Sequence, residues 1–153
     1  MPANLMEYFN KMSGPGVLST SGKDGRVDSA LFASPHMTDE KTVIVSTAKN
    51  RTFANLLENP YAVFMILEQC PGSQTAAEMP EDPEKYIMGW KGIRVYMKMK
   101  EHETSGKMLE TIRSQVAEIV GEEGAMSIYA VLTFEVYEVR PLVDIGQGWE
   151  KSI

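Results

Sequence analysis

The spacing of hydrophobic and polar residues along this chain mostly follows the period of two that β-strands produce. The clearest run is 90–100, in which apolar and polar side chains alternate: Ile93, Val95, Met97 and Met99 against Arg94, Tyr96, Lys98 and Lys100. Such a run predicts an antiparallel strand with one buried and one polar face. Residues 61–67 are apolar throughout, which predicts a strand buried on both faces.

Four more strands are predicted at Gly16–Ser21, 27–33, 41–47 and 128–139. The first two flank Asp24-Gly25, and this dipeptide between two strand-like runs indicates a hairpin. Pro141 is expected to end the last strand, because proline has no N–H for the ladder. No regular strand–helix repeat is present, so we expect an antiparallel sheet that closes into a small barrel.

Three segments have the periodicity of amphipathic helices. The first has apolar residues at positions 5, 6, 9 and 12, and the second is short and ends at Asn59-Pro60. The third, 105–120, is expected to line its packed side with Met108, Leu109, Ile112, Val116, Ile119 and Val120. Thr104 or Ser105 is its expected N-cap, and Gly121 is expected to end it.

Two further features concern the domain organisation: the chain length and one segment of low hydrophobicity. At 153 residues the chain predicts a single domain over residues 1–153. Residues 70–89 carry three prolines and predict a long loop that serves as a lid or a dimer contact.

Composition excludes several classes of partner. The net charge is −6 and no block of Lys or Arg occurs, which argues against nucleic acid or an anionic membrane as the main partner. No apolar run approaches the roughly 20 residues of a membrane span, and the N-terminus does not resemble a signal peptide. Cys70 is the only cysteine, so no internal disulfide can form and a cytoplasmic location is expected.

The chain is poor in side chains that perform catalysis by themselves. It lacks nucleotide-binding glycine motifs and zinc-binding motifs, and His36 and His102 are isolated, so we expect no metal site. Cys70 has no nearby histidine and is expected to be structural rather than a nucleophile. A bound cofactor that carries the reactivity is therefore the favoured source of chemistry.

The strongest candidate for a cofactor anchor lies where the strand 41–47 leads into the short helix. Arg51 and Thr52 stand in the first helical turn, where backbone N–H groups and the helix dipole attract a phosphate. The alternative is a plain helix start with Asn50 or Thr52 as N-cap and a solvated arginine, and the residues alone leave both open. Ser46 and Thr47 offer hydroxyls to a polar ring, or are ordinary strand-end residues.

Three segments in this order resemble the pyridoxamine 5′-phosphate oxidase-related family of flavin-binding split β-barrels. They are Gly16-Val17-Leu18-Ser19-Thr20, then Asp24-Gly25-Arg26-Val27-Asp28-Ser29-Ala30-Leu31, then Ser46-Thr47 with Asn50-Arg51-Thr52-Phe53-Ala54-Asn55-Leu56 and Asn59-Pro60-Tyr61-Ala62-Val63. The resemblance implies a mainly β fold, namely a six-stranded antiparallel Greek-key split β-barrel with flanking helices. It also implies a homodimer with flavin mononucleotide (FMN) at the subunit interface.

The resemblance assigns residues to this cofactor by position. Asp28, Ser29, Ala30 and Leu31 would run along the isoalloxazine ring, and Ser46 and Thr47 would meet the ring or the ribityl chain. Asn50, Arg51 and Thr52 would hold the phosphate. The family commonly has lysine where this chain has Thr52, and Lys49 or Lys91 would compensate, with Lys91 supplied by the second subunit.

The function implied is an FMN-dependent oxidoreductase or electron-transfer protein, with a nicotinamide nucleotide as a candidate electron donor. The chain ends at Ile153, without the longer basic C-terminal part of a pyridoxamine 5′-phosphate oxidase, so oxidation of vitamin B6 is not expected. Two alternatives stay open: a reductase that uses a deazaflavin as dissociable cosubstrate, and a non-catalytic module that binds flavin or haem.

Overall fold

The computed structural model describes residues 4–70 and 83–153. In this part of the chain, seven antiparallel strands form one curled sheet, a half-barrel with the strand order β2-β1-β5-β6-β7-β4-β3. The strands are β1 Gly16–Ser21, β2 Val27–Phe32, β3 His36–Met37, β4 Thr42–Thr47, β5 Tyr61–Gln69, β6 Lys91–Glu103 and β7 Ala130–Pro141. The split-barrel class implied by the resemblance is therefore confirmed.

Four α-helices flank the sheet within the described residues: α1 Leu5–Met12, α2 Arg51–Glu58, α3 Pro83–Met88 and α4 Lys107–Met126. A short 3₁₀ helix, Trp149–Ser152, follows β7. The sheet curls around a core that α1 and α2 close. The largest side chains of that core are Phe9, Phe64, Phe134, Leu18 and Leu56.

The hairpin between β1 and β2 forms as predicted. Gly25 has φ +83°, a conformation that glycine adopts without strain, and its N–H bonds the Gly22 carbonyl at 3.1 Å. The register pairs Ser21 with Val27 and Gly16 with Phe32. The predicted strand 90–100 is also present, and it continues to Glu103.

Two predictions about the element count are wrong. The sheet has seven strands, because the two-residue β3 pairs with β4. A strand that short has no periodicity to detect. The predicted loop 70–89 contains the helix Pro83–Met88, while residues 71–82 of that loop lie outside the described residues.

The prediction that the fifth strand is buried on both faces is also wrong. Ala62, Phe64 and Ile66 are buried, whereas Tyr61 is 50% and Leu67 is 53% exposed. The strand is antiparallel to both of its neighbours, and no helix of the described part covers its second face. Burial by the described residues therefore does not account for its apolar composition.

Helix α4 departs from its prediction at both ends. It begins at Lys107 after Gly106, which has φ +130° and makes no side-chain cap, so Thr104 and Ser105 are not N-caps. Gly121, with φ +83°, interrupts the helix as expected of a stop, but the chain resumes helical geometry up to Met126. Leu109, Ile112 and Val116 pack on the sheet, whereas Met108, Ile119 and Val120 are exposed.

The outer face of the sheet divides into two halves. The covered half comprises the outward residues of β4 and β7, where Ile44 and Val131 pack beneath Leu109 of α4. The uncovered half, over whose outward residues no helix of the described part packs, comprises the outward residues of β2, β1, β5 and β6. In strand order these are Val27, Ser29 and Leu31; Val17, Ser19 and Ser21; Tyr61, Val63, Met65 and Leu67; and Arg94, Tyr96 and Lys98.

Candidate functional site

The start of α2 presents free backbone donors. The Asn50 side chain caps the helix by accepting from the Phe53 N–H at 3.0 Å, and the Thr47 hydroxyl lies 3.4 Å from the same Asn50 oxygen. The first intrahelical bond runs from the Ala54 N–H to the Asn50 carbonyl at 3.1 Å. The N–H groups of Arg51 and Thr52 precede that bond, so they remain available to an anion.

A cavity of about 270 Å³ lies between the β1–β2 hairpin and α2. Its walls are Gly22, Asp24, Arg26, Val27, Asp28, Arg51, Asn55 and Glu58. The cavity brings together two predicted cofactor residues, Asp28 from β2 and Arg51 from α2. Asn55 fixes the helix against the sheet, because its side-chain amide donates to the Thr20 hydroxyl at 3.1 Å.

Charges of both signs line this cavity. The Arg26 Nε atom lies 3.3 Å from the Asp24 carboxylate, and the Lys23 ammonium lies 3.8 Å from that of Glu58. Among the described residues, no carboxylate lies within 4.0 Å of the exposed Arg51 guanidinium. Arg51 is thus the cation that is free to accept an anionic ligand there.

The predicted residues of β4 and the first turn of α2 divide between the two faces of the sheet. Thr47 and Thr52 are 3% and 2% exposed, so their side chains point into the protein. Ser46 lies on the outer face, and both of its backbone groups bond the Ser34 hydroxyl, at 3.2 Å from N and 2.8 Å from O. The Ser46 side chain is therefore the one of these three that faces outward.

The predicted residues of β2 also alternate between the faces. Asp28 and Ala30 lie on the inner side, opposite Thr20 and Leu18. Ser29 and Leu31 lie on the uncovered half, where the Ser29 hydroxyl bonds that of Ser19 at 2.9 Å. A ring running along β2 would thus meet its backbone and these outward side chains.

Lys91 and Lys49 lie apart from the cavity walls. Lys91 pairs with Gln69, at the end of β5 and β6 opposite to the Tyr61–Lys98 pair that follows α2. Seven residues of strand correspond to about 23 Å, so Lys91 does not reach Arg51 of its own chain. Lys49 instead places its ammonium 5.4 Å from the centre of the Tyr129 ring.

Sequence reasoning did not assign Arg26, Asn55 or Glu58 to the site. A signal was present for the last two, because positions i, i+4 and i+7 from Arg51 share one face of a helix. Arg26 could not be placed in the same way, because it reaches the cavity only when the hairpin folds over α2.

A second and larger cavity, of about 700 Å³, lies between α4 and the covered half. Its walls are more apolar: Ile44, Met108 and Ile112 alternate with threonine hydroxyls, and His36 and Lys107 are among its other residues. This composition suits an apolar small molecule better than a phosphate.

The sheet order, the hairpin over α2 and the anion-accepting start of that helix define a split-barrel protein with a candidate anion site beside its hairpin. A family model described as pyridoxamine 5′-phosphate oxidase matches residues 4–142. The chain therefore belongs to the pyridoxamine 5′-phosphate oxidase family, as the resemblance indicated.

Solved structures with this fold have diverse descriptions. An FMN-binding protein from Syntrophomonas wolfei subsp. wolfei is 22% identical, with a TM-score of 0.64 over 92% of this chain and 84% of that one. An F420 reductase is 10% identical, with a TM-score of 0.58 over 91% and 98%. HutZ, a haem storage protein from Vibrio cholerae, is 15% identical, with a TM-score of 0.55 over 87% and 89%.

No curated protein matches the chain. Among the described residues, no helix combines the length and apolar character that crossing a membrane requires.

Proposed function

We propose that this chain binds FMN and acts as an oxidoreductase or electron-transfer protein. Two observations support the proposal: Arg51, whose guanidinium is exposed, lines the cavity beneath the hairpin, and the N–H groups of Arg51 and Thr52 at the start of the same helix take part in no helical bond. A guanidinium and a helix start together offer several charge-assisted donors to one phosphate. The residues present therefore fit the phosphate end of the cofactor, and the family supports flavin as its ring system.

The ring would lie along β2 and be completed by a second copy of the chain. Backbone groups of β2 would line it, and Ser46 of β4 lies near the end of β2, because the Ser34 hydroxyl bonds both of its backbone groups. Lys91 lies at the end of β6 that is about 23 Å of strand away from Lys98 and from the α2 end of the sheet, so it would contribute only from the partner copy. The uncovered half of the sheet, with Val27 83% and Leu31 74% exposed, is the face on which we propose that the two copies meet.

When bound, flavin supplies hydride or single-electron transfer at its N5 atom. The protein's part is to bind and orient. Arg51 and the first N–H groups of α2 fix the phosphate end, and the β2 backbone sets the plane of the ring. A partner subunit over the uncovered half would exclude water from one side of the ring.

Two other ligands have specific support in the comparisons. The F420 reductase and the haem storage protein share the fold, so a deazaflavin or haem is the alternative to FMN. Competition titrations with FMN, a deazaflavin and haemin separate the three. The proposal requires FMN to bind most tightly, and displacement of FMN by either competitor at lower concentration would contradict it.

The direct test is the titration of FMN into ligand-free protein, followed by quenching of flavin fluorescence. Arg51→Ala should weaken binding by about 1.5–3 kcal/mol, the scale of a hydrogen bond to a charged group. Riboflavin, which has no phosphate, should bind both proteins equally. Lys100→Ala is the control, because Lys100 is an exposed cation on β6 outside the cavity. Failure of the unaltered protein to bind FMN would refute the proposed function.

A further inference from the structure

The walls of the cavity that holds Arg51 carry carboxylates as well as guanidiniums. Arg26 and Arg51 bring two guanidiniums to its walls, whereas Asp24, Asp28 and Glu58 bring three carboxylates. A phosphate monoester adds about 1.5 to 2 negative charges at neutral pH. A site that binds this group as tightly as it can would not place an unpaired carboxylate beside it.

The three carboxylates are not equivalent. Asp24 is paired with Arg26 at 3.3 Å, and Glu58 is paired with Lys23 at 3.8 Å. Among the described residues, Asp28 has no ion-pair partner, and it is half-buried on the inner side of β2. Its charge is therefore the least compensated, and it faces the same cavity as the Arg51 guanidinium.

No structural contact in the described part accounts for an acid at this position. The hairpin is held by other groups, namely the Gly25 N–H to the Gly22 carbonyl and the Arg26 N–H to the Asp24 carboxylate at 3.0 Å. Position 28 pairs with Thr20 through the strand ladder, which any residue except proline can join. An asparagine would retain the size and shape of the side chain and remove only its charge.

We propose that Asp28 sets the affinity of the site: its carboxylate opposes the phosphate that Arg51 attracts and keeps FMN a dissociable ligand. This inference rests on the proposed function and goes beyond it, because it makes the flavin exchange with solution. The opposition acts on the phosphate alone, so it lowers the preference for FMN over riboflavin and leaves the binding of the ring unchanged. Asp28 is thus a specificity-determining residue that acts through charge.

The test compares Asp28→Asn with the unaltered protein. Dissociation constants for FMN and riboflavin are measured by fluorescence quenching, and the release of FMN is followed by stopped flow. Asp28→Asn should bind FMN about five- to tenfold more tightly and release it more slowly by a similar factor. Its riboflavin affinity should change less than about twofold. Asp28→Ser, which also removes the charge, should shift FMN binding in the same direction.

Glu118→Gln is the matched control, since it removes one exposed carboxylate from α4, which does not line the cavity. It should leave both affinities unchanged. Equal FMN affinities for Asp28→Asn and the unaltered protein overturn the inference and leave the proposed function intact. Equal tightening of FMN and riboflavin also overturns it, because the effect would then not act through the phosphate. If neither protein binds either flavin, the proposed function fails together with the inference.

Discussion

The covered and uncovered halves of the outer sheet face are built from similar strands but have opposite surroundings. In the covered half, Ile44 and Val131 are buried beneath Leu109 of α4. In the uncovered half, Val27 and Leu31 are exposed apolar side chains on the outward face of β2, and a cluster of three tyrosines lies farther along the sheet, on β5, β6 and the adjoining part of β7. The tyrosines are Tyr61, Tyr96 and Tyr137, with ring centres 5.9 Å apart for Tyr61 and Tyr137 and 6.4 Å apart for Tyr96 and Tyr137.

The contrast comes from the position of α4, the longest helix of the described residues. A single sheet has two faces, and α4 is long enough to cover only part of the outer one. Apolar residues left on the remainder are a cost in water unless another surface covers them. The same argument explains why 61–67 is apolar throughout although only one of its faces is buried here. A second copy of the chain is the partner we propose for it.

The largest expected effect concerns the covered half. Leu109→Ala should lower the free energy of unfolding by about 2–5 kcal/mol, because it opens a cavity under α4 at a site that is 1% exposed. Urea denaturation followed by circular dichroism measures it. Ile119→Ala, on the exposed side of the same helix, is the control and should change little. Equal losses from both substitutions would mean that α4 does not pack as described.

Substitutions on the uncovered half should change dimerisation rather than the stability of the folded chain. Leu31→Lys places a charge on the proposed interface and should shift the dimer to monomer, raising its dissociation constant at least about tenfold. Sedimentation velocity over a range of concentrations measures this shift. Val120→Lys makes the same change on an exposed part of α4 and should leave the dimer unaffected. An unaltered protein that is monomeric at all concentrations would remove the proposed role of this face.

The smallest expected effect lies at the margin of the uncovered half, where Asp144 holds the chain after β7. Its carboxylate lies 2.7 Å from Arg140 Nε and 3.4 Å from an Arg94 nitrogen. The backbone N–H of Gly146 and the Arg140 guanidinium lower the pKa of Asp144. Because the pKa of Asp144 is lowered in the folded state, its ionised carboxylate stabilises the fold. This stabilisation is complete above about pH 4, the ordinary pKa of a carboxyl group, and is lost as the pH falls through the lowered pKa.

Asp144→Asn should therefore be less stable than the unaltered protein at pH 7, and the difference should shrink on acidification below about pH 4. Thermal unfolding at several pH values measures it. Asp39→Asn is a useful comparison, because Asp39 also has a lowered pKa but is held by a backbone N–H and a threonine hydroxyl rather than by arginines. A difference for Asp144→Asn that persists unchanged at low pH would show that charge is not its basis.

Much of the fold could be predicted because its signals are local. The Asp24-Gly25 hairpin, the alternation over 90–100 and the Asn-Pro end of α2 each depend on a few neighbouring residues. The errors fall where a neighbour distant in sequence decides the outcome. The two-residue β3 exists only because β4 pairs with it, and only the position of α4 against the sheet determines which of its apolar residues are buried.

The candidate site likewise has features that local sequence predicts and features that only long-range contacts decide. Arg51 at the start of a helix after a strand could be identified from spacing, and Asn55 and Glu58 follow from the helical period. The cavity itself required the hairpin to fold onto α2, which brings Arg26 and Asp28 to residues about 25 positions away in sequence. The positive and negative charges around the site could not be counted from the sequence, because the residues that line the cavity were not known.

The sequence by itself determined six of the seven strands, the hairpin, the helix that begins at Arg51 and the family to which the chain belongs. Each of these depends on local periodicity, on turn residues or on an ordered set of motifs. The tertiary structure alone decided which half of the sheet stays uncovered and which charges surround the anion site. Both depend on distances between segments remote in sequence, and electrostatic and packing energies depend on those distances rather than on order along the chain.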